Sequence, residues 1–219
     1  MLFKSIIMAM AAAELVAGHG AIIKAVGDQG GEGMALGIDP STPRDGSNRN
    51  PFQQDSTRFK NAAADQCGET LGGGTNDPAT QVPAQLAANG GNMPQISPGG
   101  AVMMTLHQVN GDGAGPYDCM IDSTGTGTQW TNMQVATNVP GENSRSRARA
   151  TDFPLTAKVA ADQTCTGSVA GMEGVCMVKC QNAARAGPFG GCVPVQMAGA
   201  NATAAAKKAR SERTQLFRA

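Results

Sequence analysis

The sequence has 219 residues, the size of one ordinary domain or two small ones. Seventeen Lys and Arg residues balance seventeen Asp and Glu residues, so the formal net charge is zero, which argues against binding nucleic acid through bulk electrostatics. Hydrophobic residues make up 41% of the chain, too many for a disordered protein, and the 29 Gly and 12 Pro favour short strands and turns over long helices.

Residues 1–18 have the order of a secretory signal peptide. Lys4 precedes an apolar stretch, and the small residues Ala17 and Gly18 end it as a cleavage site does. A buried first helix is the alternative. Cleavage after Gly18 makes His19 the new amino terminus, and no later apolar run approaches the roughly 20 residues that cross a bilayer. We therefore expect a secreted, extracellular protein without a membrane span.

Short strands separated by turns are predicted after the cleavage site. The first is His19–Val26, and residues 30–100 are then rich in loops, with one helical hint at Ala79–Ala88 that Pro83 interrupts. Alternation in the next strand puts His107 on one face and Leu106 on the other. The strands predicted from here on are 101–109, 129–136, 153–159, 175–179 and 192–197. Without heptads or alternating long helices, this order predicts an all-β antiparallel sandwich over residues 19–199.

The composition changes again in residues 200–219, which we expect to form a basic and flexible tail. Its charged residues are Lys207, Lys208, Arg210, Arg213 and Arg218 against the single acid Glu212. The tail either docks on an acidic partner or is a solvated chain end. Asn201 begins the sequon Asn-Ala-Thr and is a candidate glycosylation site.

Six cysteines follow the predicted cleavage site: Cys67, Cys119, Cys165, Cys176, Cys180 and Cys192. An even count in a secreted chain predicts three disulfides, for which fifteen connectivities are open. The spacing of Cys176 and Cys180 also suggests zinc. No second Cys or His pair accompanies them, so disulfides are the better interpretation.

The chain contains two histidines, and their positions suggest a metal site. A terminal His19 would offer its α-amine and one ring nitrogen to a metal, and His107 would add a second imidazole. Amine and imidazole donors in this set form a histidine brace, which suits copper. The α-amine has an ordinary pKa near 7.7–8.0, so a metal can displace its proton near neutral pH. The alternative is that His19 is an accident of cleavage and His107 an ordinary strand residue.

Several motifs resemble a secreted fungal family whose members are appressorium-associated, virulence-linked proteins. The segments that carry the resemblance best are LHQVNGDGAGPYDC (106–119) and QNAARAGPFGGCVPVQ (181–196). The opening HGAIIKAVGDQG (19–30) and VPGENSRSRARATDFPLTAKV (139–159) fit as well, and residues 53–67 fit weakly. The resemblance implies a secreted, infection-related protein that acts at the surface of a host, and retention in the infection structure is the alternative location.

That family is in turn similar to the lytic polysaccharide monooxygenases, copper enzymes built on an immunoglobulin-like β-sandwich. The similarity implies that His19 and His107 bind one copper ion and that Phe189, three residues before Cys192, takes the axial position. The fungal enzymes commonly carry a Gln two residues before the axial aromatic, where this chain has Gly187. Gln181 or Gln196 would have to replace it. This departure bears on oxidative catalysis more than on copper binding.

Three functions remain open at this point. One is a monomeric copper enzyme that cleaves a cell-wall or cuticle polysaccharide oxidatively. The second is a copper-binding protein without turnover, in which Asp112 or Asp118 fills the open ligand position, and the third is a metal-free effector or adhesive protein. Arg145, Arg147 and Arg149 form a run that either binds an anionic surface or is a solvated loop. The disulfides expected are Cys67–Cys192, Cys119–Cys180 and Cys165–Cys176.

Overall fold

A computed structural model describes residues 19–200 of the chain. The predicted signal peptide, Asn201 and nearly all of the predicted basic tail lie outside the described residues. The cleavage site, the glycosylation site and the flexible tail therefore remain predictions. Between residues 19 and 200, no helix is long and apolar enough to cross a membrane.

The described residues form thirteen strands and one α-helix. In chain order these are β1 (Gly20–Gly27), β2 (Gly30–Gly33), β3 (Thr57–Arg58), β4 (Glu69–Thr70), β5 (Gly74–Thr75), α1 (Pro78–Ala88), β6 (Gln95–Ile96), β7 (Ala101–Gln108), β8 (Tyr117–Asp122), β9 (Thr131–Thr137), β10 (Thr151–Lys158), β11 (Gly167–Val169), β12 (Met172–Asn182) and β13 (Phe189–Met197). Short 3₁₀ turns lie at Asn61–Ala63 and Gly111–Gly113. Each of the six strands expected from the sequence is present, and the helical hint is α1.

Seven strands close into a single hydrogen-bonded ring in the order β12, β8, β9, β10, β7, β1 and β13, with β13 pairing back to β12. The pairs are antiparallel except β1 with β13, which run parallel. The protein is therefore mostly β, as expected, and its sheet resembles a barrel or a flattened sandwich. The immunoglobulin-like form of that sandwich remains a prediction.

The core lies inside this ring because successive side chains along a strand alternate between its inside and its outside, as the sequence predicts. On β7, Val102, Met104 and Leu106 are buried in the main cluster, whereas Met103 between them is 44% exposed. Burial of such alternate apolar side chains stabilises the fold by about 1.5–3 kcal/mol each. Register is consequently strongly fixed, since a slip of one residue would exchange the two faces.

A second apolar cluster lies outside the ring. There, α1 and the loop-rich segment of residues 30–100 that contains it, called the long loop below, cover β12 and β13. The cluster includes Leu36, Val82 and Met177. Asp77 caps the amino end of the helix, where its side chain accepts a hydrogen bond from the Ala79 N–H, and Pro78 occupies the first turn. Pro83 lies inside α1 without ending it. This packing attaches the loop-rich region to the barrel.

The six cysteines form Cys67–Cys192, Cys119–Cys180 and Cys165–Cys176, the three pairs expected. Cys119 and Cys180 face each other across the paired strands β8 and β12. Cys67 ties the long loop to β13. Because both Cys176 and Cys180 are bridged, the zinc interpretation is excluded.

Candidate metal centre

The β1–β7 ladder brings His19 and His107 together at one end of the ring. Ala21 pairs directly with His107, and the ladder continues to the chain start, where the Val109 N–H donates to the His19 carbonyl at 3.0 Å. His19 is thus the diagonal neighbour of His107, with about 7–8 Å between their Cα atoms. Both residues are buried, 4% and 1% exposed.

The His107 ring has one nitrogen engaged and one without a partner. Its Nδ1 lies 2.6 Å from Asp152 Oδ1, and Asp152 is the direct cross-strand partner of His107 on β10. Its Nε2 is buried and has no hydrogen-bond partner among the described residues. A carboxylate at Nδ1 favours the tautomer that carries its proton there and leaves a lone pair on Nε2. A buried imidazole nitrogen in that state fits a metal.

His19 is held from three sides. Its backbone nitrogen donates to Asn110 Oδ1 at 2.7 Å, and its ring lies against Phe189, with 4.8 Å between the ring centroids. Gly113 packs on its backbone so closely that a β-carbon there would lie 2.1 Å from the His19 carbonyl oxygen. A residue fixed at backbone and ring offers its nitrogens in a defined geometry.

A small cavity of about 100 Å³ opens beside the His19 and Phe189 rings. The long loop supplies most of its other walls, among them Arg49, Gln53 and Arg58, and Ala186 between β12 and β13 supplies another. Arg58 is ion-paired with Glu69, and the Gln53 amide donates to the Ser47 carbonyl at 2.7 Å. The loop that looked unstructured in the sequence therefore builds one side of the site.

The two candidate glutamines have different positions. Gln196 lies near the far end of β13, seven residues beyond Phe189, where it bonds to Gln95 and to the Glu173 carbonyl. The structure does not bring it to His19. Gln181 instead stands in one cross-strand row with His107, with only Gly190 and Ala21 between them, about 14 Å along the sheet. Its Oε1 is buried without a hydrogen-bond partner in the described part of the chain.

Neither acid proposed as an additional ligand is placed beside His107. Asp112 Oδ1 lies 3.3 Å from Arg145 Nε, and Asp118 is exposed on β8, where it pairs in register with Gln181. The acid that does contact His107 is Asp152, which no motif of the sequence singles out. Its position one residue before a predicted strand was visible, but the pairing of that strand with β7 was not.

Between residues 19 and 200, no three or more His, Cys, Asp or Glu side chains are grouped as a metal site. A metal here would therefore need the backbone nitrogen of His19 as a ligand. That nitrogen is an amide while residue 18 precedes it and becomes a basic amine once the chain begins at His19. The arrangement fits a copper brace because it offers this amine and two imidazoles, one of which has a buried nitrogen without a hydrogen-bond partner among the described residues.

Comparison with known proteins shows one family. The profile of the Egh16-like virulence factor family matches residues 17–190. The appressoria-specific virulence factor GAS1 of Pyricularia oryzae (strain 70-15) is 59% identical over 214 residues, which cover 97% of this chain and 85% of GAS1. The appressoria-specific virulence factor GAS2 of the same fungus is 41% identical over 132 residues, 56% of this chain and 46% of GAS2. These matches confirm the family expected from the motifs.

Proposed function

The chain belongs to the Egh16-like virulence factor family, and from that membership we propose a secreted infection-related protein in which His19 and His107 bind one copper ion. The observation that carries the copper site is the buried His107 Nε2, which has no partner among residues 19–200. An unpaired buried polar atom is costly, and a metal ligated there would remove the cost. The three disulfides fit an oxidising, extracellular environment.

Two residues would ligate the ion, and two others would position those ligands. His107 contributes Nε2, and Asp152 orients its ring through Nδ1. His19 contributes its ring and, after cleavage before it, its amine, which Asn110 positions through Oδ1. Because that amine has an ordinary pKa near 7.7–8.0, binding weakens as the pH falls and protons compete for it.

Phe189 shapes the site without ligating. It is fully buried against the His19 ring, and a phenyl ring has no donor atom, so it closes one approach and excludes water. Phe189→Tyr keeps the ring and adds an oxygen. We expect an altered Cu(II) electron paramagnetic resonance spectrum with a nearly unchanged Tm. An identical spectrum would place the ring away from the metal.

Copper, when bound, supplies a one-electron couple that activates dioxygen or peroxide for oxidation at a sugar carbon. The role that this chain offers to such chemistry is an open cavity beside His19, in which the fully buried Phe189 forms one wall. Neither glutamine fills the position left empty by Gly187, because Gln196 lies at the far end of β13 and Gln181 stands about 14 Å from His107 along the sheet. The open cavity beside His19 is the ground on which we favour oxidative cleavage of a polysaccharide over copper binding alone.

The test is a calorimetric copper titration of the processed protein, beginning at His19. We expect tight binding of one ion, lost in His107→Ala and in a chain with one extra residue before His19. The extended chain keeps every side chain, and a thermal melt checks the fold of both variants. Weak binding, or binding that ignores both changes, would exclude the brace and leave a metal-free effector.

A further inference from the structure

The charges of the described region are unevenly placed. The tail residues listed above carry a net +4 and residues 1–18 carry none, so residues 19–200 carry a net −4. Five of the arginines of this acidic region nevertheless line the two cavities that flank the candidate metal centre. Arg49 and Arg58 lie beside His19, and Arg145, Arg147 and Arg185 line an open groove of about 720 Å³.

This arginine groove has fewer acids than arginines. Its carboxylates are Asp112, which contacts Arg145 at 3.3 Å, and Glu142. Arg147 and Arg185 make no salt bridge with any residue between 19 and 200, and both are exposed. Two guanidinium groups are thus available to an anion, and guanidinium groups bind carboxylates through paired N–H donors.

The segment that carries Arg145 and Arg147 is held in place at its start. Glu142 and Arg145 exchange two backbone hydrogen bonds of 2.9 Å around Asn143 and Ser144, both of which have positive φ. The Ser144 hydroxyl is buried and accepts from the Ala183 N–H at 2.9 Å. This tight turn therefore fixes one wall of the groove against the other, so the arginine run is an ordered surface.

The groove is contiguous with the metal centre through Asn182. The Asn182 Oδ1 accepts from the Phe189 N–H at 2.9 Å and from the Ala184 N–H at 3.2 Å. Phe189 packs on the His19 ring, and Ala184 lines the groove. On the other wall, Asp112 lies next to Gly113, which packs on the His19 backbone. One buried residue, Asn182, thus separates the groove from the Phe189 and His19 rings.

The aromatic residues argue against stacking of a neutral polysaccharide here. Tyr117 is 1% exposed in the core. Trp130 lies over Lys179 with its Nε1–H bonded to the Asp65 carbonyl, and neither aromatic lines the two cavities. The surface around His19 therefore offers guanidinium groups in place of aromatic platforms.

From this placement we infer that the arginine groove binds a polysaccharide whose sugars carry carboxylates, a polyuronate, and presents it to the metal centre. The substrate class rests on the proposed function, whereas the binding surface does not. The net negative charge of residues 19–200 repels polyanions from the rest of that region, so within it binding is confined to the groove.

Binding is measured by calorimetry with polygalacturonate in the presence of a chelator, so that neither copper nor turnover takes part. The fully methyl-esterified polymer, which has the same backbone without charge, is the comparison ligand. We expect binding to polygalacturonate alone, weakened about tenfold or more in Arg147→Gln/Arg185→Gln and by raising the salt. Lys24→Gln/Lys158→Gln removes the same charge away from the groove and should bind as the parent does.

Each other outcome overturns the proposal. Equal binding to the esterified polymer shows that charge is not recognised, equal binding to RNA shows general polyanion attraction, and equal weakening in the lysine control shows a bulk charge effect. No binding excludes the groove as a polyuronate site. Since copper titration of the arginine variant is a separate measurement, failure of the groove and failure of the metal centre are distinguishable.

Discussion

Asp152 Oδ1 lies 2.6 Å from His107 Nδ1, and the two residues are direct partners across β10 and β7. The contact joins a half-exposed carboxylate to a fully buried ring, so it sets the ring orientation from the surface. Carboxylates in this position fix the tautomer of a ligating histidine and raise its basicity.

Asp152→Ala should therefore weaken copper binding by about 10–100-fold while leaving the fold intact. Calorimetric titration gives the affinity, and a thermal melt checks the fold. Asp118→Ala, an exposed acid on β8, is the control and should leave the affinity unchanged. If both variants bind as the parent does, Asp152 does not position a ligand.

Gly113→Ala should disturb the site through the backbone of His19. The new β-carbon would lie 2.1 Å from the His19 carbonyl oxygen, so His19 or the 3₁₀ turn has to move. We expect a lower Tm and weaker copper binding together. Gly111→Ala in the same turn meets its nearest atom, the Ser146 carbonyl oxygen, at 3.1 Å and should have the smaller effect. Equal effects would show that the turn tolerates movement.

Asp122 should make the stability depend on acid pH. Burial pushes the pKa of this carboxyl up, but hydrogen bonds from Thr124, Thr128 and Gln129 outweigh it and hold the pKa below its ordinary 3.8. A lowered pKa stabilises the fold above the unfolded value, and the contribution is lost as the pH falls through the folded value.

Asp122→Asn should consequently reduce the free energy of unfolding by about 2 kcal/mol or more at pH 7, because several donors lose a charged acceptor. The difference from the parent should shrink as the pH falls below 3.8. Urea unfolding of both proteins at pH 7 and at acid pH measures it, with Asp118→Asn as the exposed control. A difference independent of pH contradicts the assignment.

Lys179 should make the stability depend on pH in the alkaline range, through a buried cation where Asp122 acts through a buried anion. Burial lowers the pKa of its ammonium group, which lies 4.3 Å from the centre of the Trp130 ring, and the charge of Asp65 opposes this only partly. The unfolded chain then binds more protons between the lowered value and 10.5, so the stability rises with pH in that window.

The free energy of unfolding of the parent, compared with Lys179→Met, should therefore rise as the pH approaches 10.5. The comparison cancels the titration of other groups, and Lys158→Met provides an exposed lysine for reference. A constant difference across this range would mean that the Lys179 pKa is not lowered in the fold.

The sequence predicts the strands better than their arrangement. Alternation identifies β7 and its buried face because packing against one core imposes a period of two. It does not identify β8, where Tyr117, Cys119 and Ile121 alternate directly after a Gly-Pro turn. Nor does it show that β1 and β13 run parallel, since pairing is decided by contacts between distant parts of the chain.

The residues of the candidate site also fall into those that the sequence predicts and those that it does not. His19, His107 and Phe189 are visible in the sequence as residue types at telling positions, and the structure brings all three together. Asp152, Asn110 and Gly113 are ordinary residues locally, and only the register of the ladder and the turn places them against the histidines. The misplaced Gln196 shows the same limit, because its distance from Phe189 depends on the strand being extended.

The bond between Cys67 and Cys192 fastens the long loop three residues from Phe189. Arg49, Gln53 and Arg58, the loop walls of the His19 cavity, all precede Cys67 in that loop, whereas the two histidines are joined by the β1–β7 ladder alone. Reduction would remove this covalent tie, leave the wall held by the pairing of Arg58 with Phe189, and leave the histidine pair in its own ladder. The wall of the cavity beside His19 is therefore covalently secured in the oxidised protein alone, so the redox state of the surroundings sets how firmly that cavity is enclosed.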